Sequence, residues 1–215
     1  MHHFYRKTGM SSLKTLRQMQ GITLPQSFER KHTALIIIDI QNEYFNGGAI
    51  PLPESESTAA NAQRILAWAR QHALTVVHIR HFANNAFSPI FAPNSKTSEI
   101  ATIVSPLATE TIFTKHFPNA FLGTDLHPFL TNHKIETLIV CGMMTHTCVA
   151  STSQAAAELG YSVILAKNAC TTRSLPVGDG QTIDYKTIHA TTLAALSDAI
   201  AEIMGTDEII ALPVA

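Results

Sequence analysis

Residues Ala34 to Ile38, ALIII, form an aliphatic and β-branched run with no polar position in it. A strand with one wet face would alternate, so this run reads as a strand buried on both faces, as in a parallel sheet covered by helices. Similar short runs recur at Thr75–Ile79, Thr111–Thr114, Thr137–Cys141 and Val163–Ala166. Between them lie stretches of helical period. Ser55–His72 carries Ala62, Ile65, Leu66 and Ala69 on one stripe, Gly123–His133 is entered through Thr124-Asp125, and the segment containing Cys148 runs through alanines to a stop at Gly160. Asp184–Met204 reads as the last long helix, with Ile188, Leu193, Leu196, Ile200 and Ile203 facing inward, and Glu208–Ala211 as a sixth, edge strand. Strands alternating with helices predict a three-layer α/β/α, Rossmann-like fold. Right-handed crossovers leave few topologies, and the order 3-2-1-4-5-6 is expected.

Open parallel sheets bind ligands beyond the carboxyl ends of their strands, where the order reverses. Here that point falls between strands one and four. Asp39 ends strand one and Cys148 follows strand four, while Lys115 ends strand three and has the reach to turn inward. A thiol at a helix start is a candidate nucleophile. Free cysteine is also a common small core residue, so Cys148 alone establishes nothing; the three groups together do more. A carboxylate can take the thiol proton, and an ammonium is expected to lower the thiol pKa and keep the carboxylate ionised. Covalent catalysis at a carbonyl follows from that set.

Composition narrows the classes. With 46% hydrophobic and 14% charged residues the chain has material for a large core, and its formal net charge of −1, with no basic run, argues against nucleic acid. No stretch has the length of a membrane span or a signal-peptide core. Three cysteines, Cys141, Cys148 and Cys170, suit a reducing compartment, so a cytoplasmic location is expected. Residues 1–32 read as an N-terminal arm, with Ser11-Ser12 capping a short helix that carries Leu13, Leu16 and Met19 and ends at Gly21. Residues 33–215 read as the single main domain. The segment from Arg80 to Glu110 is too long and irregular for a plain connection, and Phe82, Phe87 and Phe91 within it are either pocket wall or core. No Gly-x-Gly-x-x-Gly follows strand one, which removes the dinucleotide-binding alternative.

The segments ALIIIDIQNEYFNGG (34–48), KHFPNAFLGTDL (115–126) and CGMMTHTCVASTSQAAAELGY (141–161) resemble the isochorismatase-like cysteine hydrolases, a superfamily that includes nicotinamidases and N-carbamoylsarcosine amidases. The resemblance covers Thr33 to about Met204. It implies a triad of Asp39, Lys115 and Cys148, a cis peptide at Met143–Met144, and an oxyanion hole made by the Met144 and Cys148 N–H groups. It implies hydrolysis of a small-molecule amide through a thioester on Cys148, and a homo-oligomer. Hydrolysis of an isochorismate-type vinyl ether, or a catalytically idle interaction module on the same fold, are the alternatives. Gln41, Phe45, Phe121 and His146 are candidate pocket residues. Nicotinamidases carry an Asp-x-His pair after strand two, where this chain has His78-Ile79-Arg80-His81, so neither metal nor another cofactor is expected.

Overall fold

The computed structural model describes residues 13–215. Six strands form one parallel sheet: β1 (Thr33–Ile38), β2 (Thr75–His81), β3 (Thr111–Lys115), β4 (Thr137–Met143), β5 (Ser162–Thr171) and, at the far edge, β8 (Ala201–Met204), in the order β3-β2-β1-β4-β5-β8. Every residue of β1 is buried, as a run without alternation requires. Helices α1 (Leu16–Met19), α2 (Ser55–Gln71), α3 (Leu126–Asn132), α4 (Ala150–Glu158), α5 (Tyr185–Ala199) and α6 (Thr206–Ile210) flank the sheet. α2 buries Ala59, Ala62, Ile65, Leu66 and Ala69 on the expected stripe.

The order is the expected one, but its sixth member is a different segment. Glu208–Ala211 is not a strand; it falls in and just after α6, and the edge strand is Ala201–Met204, which had read as the end of the last helix. The helix ends at Ala199 because Ala201–Met204 gains a ladder against Val163–Ala166, pairing Leu165 with Ile203. Tertiary pairing overrides helical period there. Downstream, the Glu208 carboxylate accepts the Gly205 N–H and so starts a helix rather than a strand.

Two further departures matter for the site. β5 runs five residues past its expected end, through an irregularity in which Val140 pairs with Leu165 but Gly142 with Cys170. Asn168, in the bulge, accepts hydrogen bonds from the Thr206 amide and hydroxyl at 2.8 and 3.0 Å, anchoring the start of α6. The extension carries the chain to Thr171, and the hairpin β6 (Leu175–Gly178) and β7 (Gln181–Ile183) follows where an irregular loop was expected. The arm's helix is only four residues, capped by Thr15, whose hydroxyl accepts from the Gln18 amide at 3.2 Å. The Ser11-Ser12 cap lies outside the described residues.

The long segment after β2 is held in place by the chain that follows β1. The Ala101 amide donates to the Ile40 carbonyl and the Asn42 amide to the Glu99 carbonyl, both at 2.9 Å. Gln41 is fully buried between them. Its amide nitrogen donates to the His81 and Ser98 carbonyls at 3.0 and 2.6 Å, and its oxygen accepts the His81 N–H at 2.8 Å.

Candidate active site

Three strand ends and the turn after β4 meet in one crevice. Asp39 leaves β1 with φ of 50°, and its amide donates to the Ile79 carbonyl of β2 at 2.9 Å. Gly142 lies opposite, at φ of 136°, where a Cβ would stand 2.0 Å from the Ile38 carbonyl oxygen. Only glycine lets β4 press this closely on the end of β1. The Met143–Met144 peptide bond is cis. A π-turn, Thr145–Val149, then carries Cys148 ahead of α4, with the Thr145 hydroxyl and His189 Nδ1 2.9 Å apart.

The Lys115 ammonium sits 2.7 Å from Asp39 Oδ2 and 3.2 Å from Cys148 Sγ, with the Lys115 and Asp39 side chains fully buried. The triad suggested by the sequence is therefore a contiguous cluster, and Lys115 has a third neighbour, His81 Nδ1, at 3.2 Å. Burial pushes the Asp39 carboxyl up; the Lys115 charge and hydrogen bonds from Lys115 and Cys148 oppose this without reversing it. Burial also pulls Lys115 down, but the charges of Asp39 and Cys148 and its bonds to them more than offset that, and the net direction is up. For Cys148, burial first and the Asp39 charge second push the thiol up to about 12, against the pull of Lys115. Lys115 lowers the thiol pKa as expected, but burial and the Asp39 charge outweigh it, so the thiol is neutral at rest. A proton leaves Cys148 only when something else takes up the developing charge.

Beside the sulfur lies a cavity of ≈ 540 Å³, of the size that holds a small molecule, walled by Tyr44, Ile50, His81, Phe91, Met144, Thr147 and Arg173. None of Gln41, Phe45, Phe121 and His146 lines it. Gln41 is the clamp described above. Phe45 is half-buried against the core. Phe121 stacks on Tyr161, ring centroids 6.0 Å apart. His146 Nδ1 hydrogen-bonds the Thr172 hydroxyl, tying the turn that carries Cys148 to the end of β5. Of the three phenylalanines after β2, Phe91 is wall, Phe87 is exposed and Phe82 lies under the Arg80 guanidinium. His81, Tyr44, Thr147 and Arg173 were not singled out from sequence. The signal for His81 was present: it ends β2, in register with Lys115, just as Asp39 ends β1.

The isochorismatase domain model matches residues 33–208. The chain belongs to the isochorismatase family. The family protein YddQ of Bacillus subtilis is 37% identical over 81% of this chain and 97% of its own length. The crystal structure of an isochorismatase from Pseudomonas putida KT2440 superposes with a TM-score of 0.83 at 32% identity, covering 91% of this chain and 98% of that one. Nicotinamidase of Escherichia coli is 28% identical over 64% of this chain and 82% of its own. Among the described residues of this isochorismatase-family chain no group of three or more His, Cys, Asp or Glu is arranged to hold a metal ion.

Proposed function

We propose that this isochorismatase-family protein hydrolyses the C–N bond of a small-molecule amide through a thioester on Cys148. The observation that carries the reading is the contact of the cavity-lining Cys148 with a buried ion pair, Lys115 Nζ lying 3.2 Å from Sγ and 2.7 Å from Asp39 Oδ2. An amide-hydrolysing relative, the nicotinamidase, supports it.

As Sγ forms its bond to the carbonyl carbon, the thiol proton passes to Asp39, the base within reach. The high thiol pKa makes this transfer part of the attack rather than a step before it. The Met144 and Cys148 N–H groups hold the oxyanion; one such donor is worth about 10²–10³ in rate. Asp39 then protonates the nitrogen as the C–N bond breaks, and ammonia or an amine departs. Water adds to the thioester, its proton returns by way of Asp39 to the leaving sulfur, and a carboxylic acid is released. Lys115 stays protonated throughout and holds the negative charge wherever it lies between Asp39 and the sulfur. The buried, unpaired cysteines Cys141 and Cys170 suit a reducing cytoplasm.

A buried Asp–Lys pair next to a cavity-lining thiol weakly serves stability, which counts against an idle module. A vinyl ether has no use for a nucleophilic sulfur, which counts against the isochorismate-type reaction. The test is a panel of small amides assayed for ammonia with wild type and Cys148→Ala, with mass spectrometry of wild type quenched during turnover. Ammonia release, its loss by at least about 10³-fold in the variant, and an acyl mass on the Cys148 peptide are expected. Turnover of a vinyl ether that survives Cys148→Ala, with no amide cleaved, would replace this reading by the isochorismate one.

A further inference from the structure

His81 is used by none of the steps above, yet its ring lines the cavity and its protonation is dictated by its neighbour. The Lys115 ammonium has three protons and no lone pair, so it can only donate. It pairs with the Asp39 carboxylate at 2.7 Å and hydrogen-bonds Cys148 Sγ and His81 Nδ1, each at 3.2 Å. Nδ1 must therefore be the bare nitrogen, and the ring proton lies on Nε2. The ring is also fixed in place. Gln41 grips the His81 backbone on both sides, and the Phe91 ring meets the imidazole edge-on with centroids 5.1 Å apart. Nε2 is neither buried nor hydrogen-bonded among the described residues. A rigid, neutral N–H without a partner, at the wall of a cavity that holds a nucleophile, is a recognition element.

We propose that His81 is a substrate-binding residue whose Nε2–H reads a carbonyl-type hydrogen-bond acceptor on the part of the substrate beyond the scissile amide. The substrate class is thereby narrowed to amides that carry a second acceptor, such as another carboxamide or acyl oxygen, and purely aliphatic amides are disfavoured. Burial first, then the charges of Lys115 and His116, hold the imidazole down to about 4, so across neutral pH it is a donor and not an acid. The same tautomer argues against Nε2 as a metal ligand, a role that needs its lone pair. The inference rests on the amide-hydrolase reading for the nature of the scissile bond; the tautomer and the acceptor preference do not depend on it.

The experiment uses the full chain and two matched probes, succinamide and 4-methylpentanamide, which differ in that one ends in a carboxamide and the other in an isopropyl group of similar shape. Protection of Cys148 from iodoacetamide measures binding, and ammonia in the same samples measures turnover. In wild type, succinamide should protect at about tenfold lower concentration, the effect of one hydrogen bond that an apolar group leaves unmade. His81→Phe should reduce that preference to about twofold or less, and His81→Gln, which keeps an N–H, should retain part of it. Equal protection by the two probes in wild type, or an undiminished preference in His81→Phe, would overturn the proposal. Should His81→Phe not fold, nitrogen NMR of wild type decides: a proton on Nδ1, or titration of His81 near neutral pH, also overturns it. Selective protection without ammonia would instead leave the acceptor site standing and remove the amide-hydrolase reading.

Discussion

Asp39 has to be ionised to accept the Cys148 proton, and its carboxyl is raised by burial despite the Lys115 charge beside it. The sign of the pH effect follows. Activity depends on the deprotonated form, so kcat/KM falls as pH drops through the folded pKa, and that limb lies above the ordinary aspartate value of about 3.9. Lys115 is raised and Cys148 sits at about 12, so no alkaline limb is expected until well beyond pH 9. His81, held near 4, adds nothing at neutral pH. A kcat/KM profile on a cleaved amide should therefore show a single acid limb, above the ordinary aspartate value, and no fall in the mildly alkaline range. Asp39→Asn should lower the plateau by at least about 10²-fold, the scale of a positioned general base. A limb near pH 8 that Asp39→Asn leaves in place would assign the rate to thiol ionisation instead.

The elements around the site were unevenly legible. β1 and β4 announce themselves because strands buried on both faces have nowhere to put a polar residue; Asp39 stands out as the first charge after β1, and Lys115 as the charge that ends the partly exposed edge strand β3. The last third of the chain was harder. Ala201–Met204 has a composition equally at home in a helix, and only pairing with β5, a long-range contact, makes it a strand. The bulge that extends β5 and brings Arg173 to the cavity has no local signature at all. The segment after β2 is ordered by contacts from 40–43 that no periodicity reveals. Glu43 is the sharpest case: its buried carboxylate accepts the Ala49 and Phe91 amides at 3.0 and 3.1 Å, joining two walls of the cavity through one side chain. Phe91 in turn packs on Tyr44 and His81. Glu43→Gln keeps one acceptor and turns the other into a donor facing an N–H, so it should loosen one wall while the Asp39–Lys115–Cys148 cluster stays. KM should rise about three- to tenfold with kcat within about twofold. A loss confined to kcat would place Glu43 in the chemistry rather than in the wall.

At the scale of the whole molecule, the surface behind the site is the least finished part. α5 buries only Leu196 among fifteen residues, and the arm packs against it through the Leu16 amide, 2.9 Å from Asp198 Oδ1, and against β8 through Arg17, 3.7 Å from Glu202. Those contacts are polar, and the apolar side chains of residues 13–24 face outward: Leu13, Leu16, Met19, Ile22 and Leu24 are all exposed. Isolated exposed leucines need no explanation, but a dense set does. The net charge of −1 supplies little self-repulsion near neutral pH. A homo-oligomer that covers the arm is the arrangement these facts favour. Sedimentation equilibrium at neutral pH should therefore give a multiple of the 23.4 kDa chain mass. The double substitution Met19→Glu and Leu24→Glu should shift the equilibrium toward the monomer by at least about tenfold, since a charge in an apolar contact is strongly disfavoured. The site lies at the opposite, carboxyl end of the strands, so the dissociated variant should still bind the amide probes. A monomer at all concentrations in wild type would show that the arm's apolar face has some other partner or none.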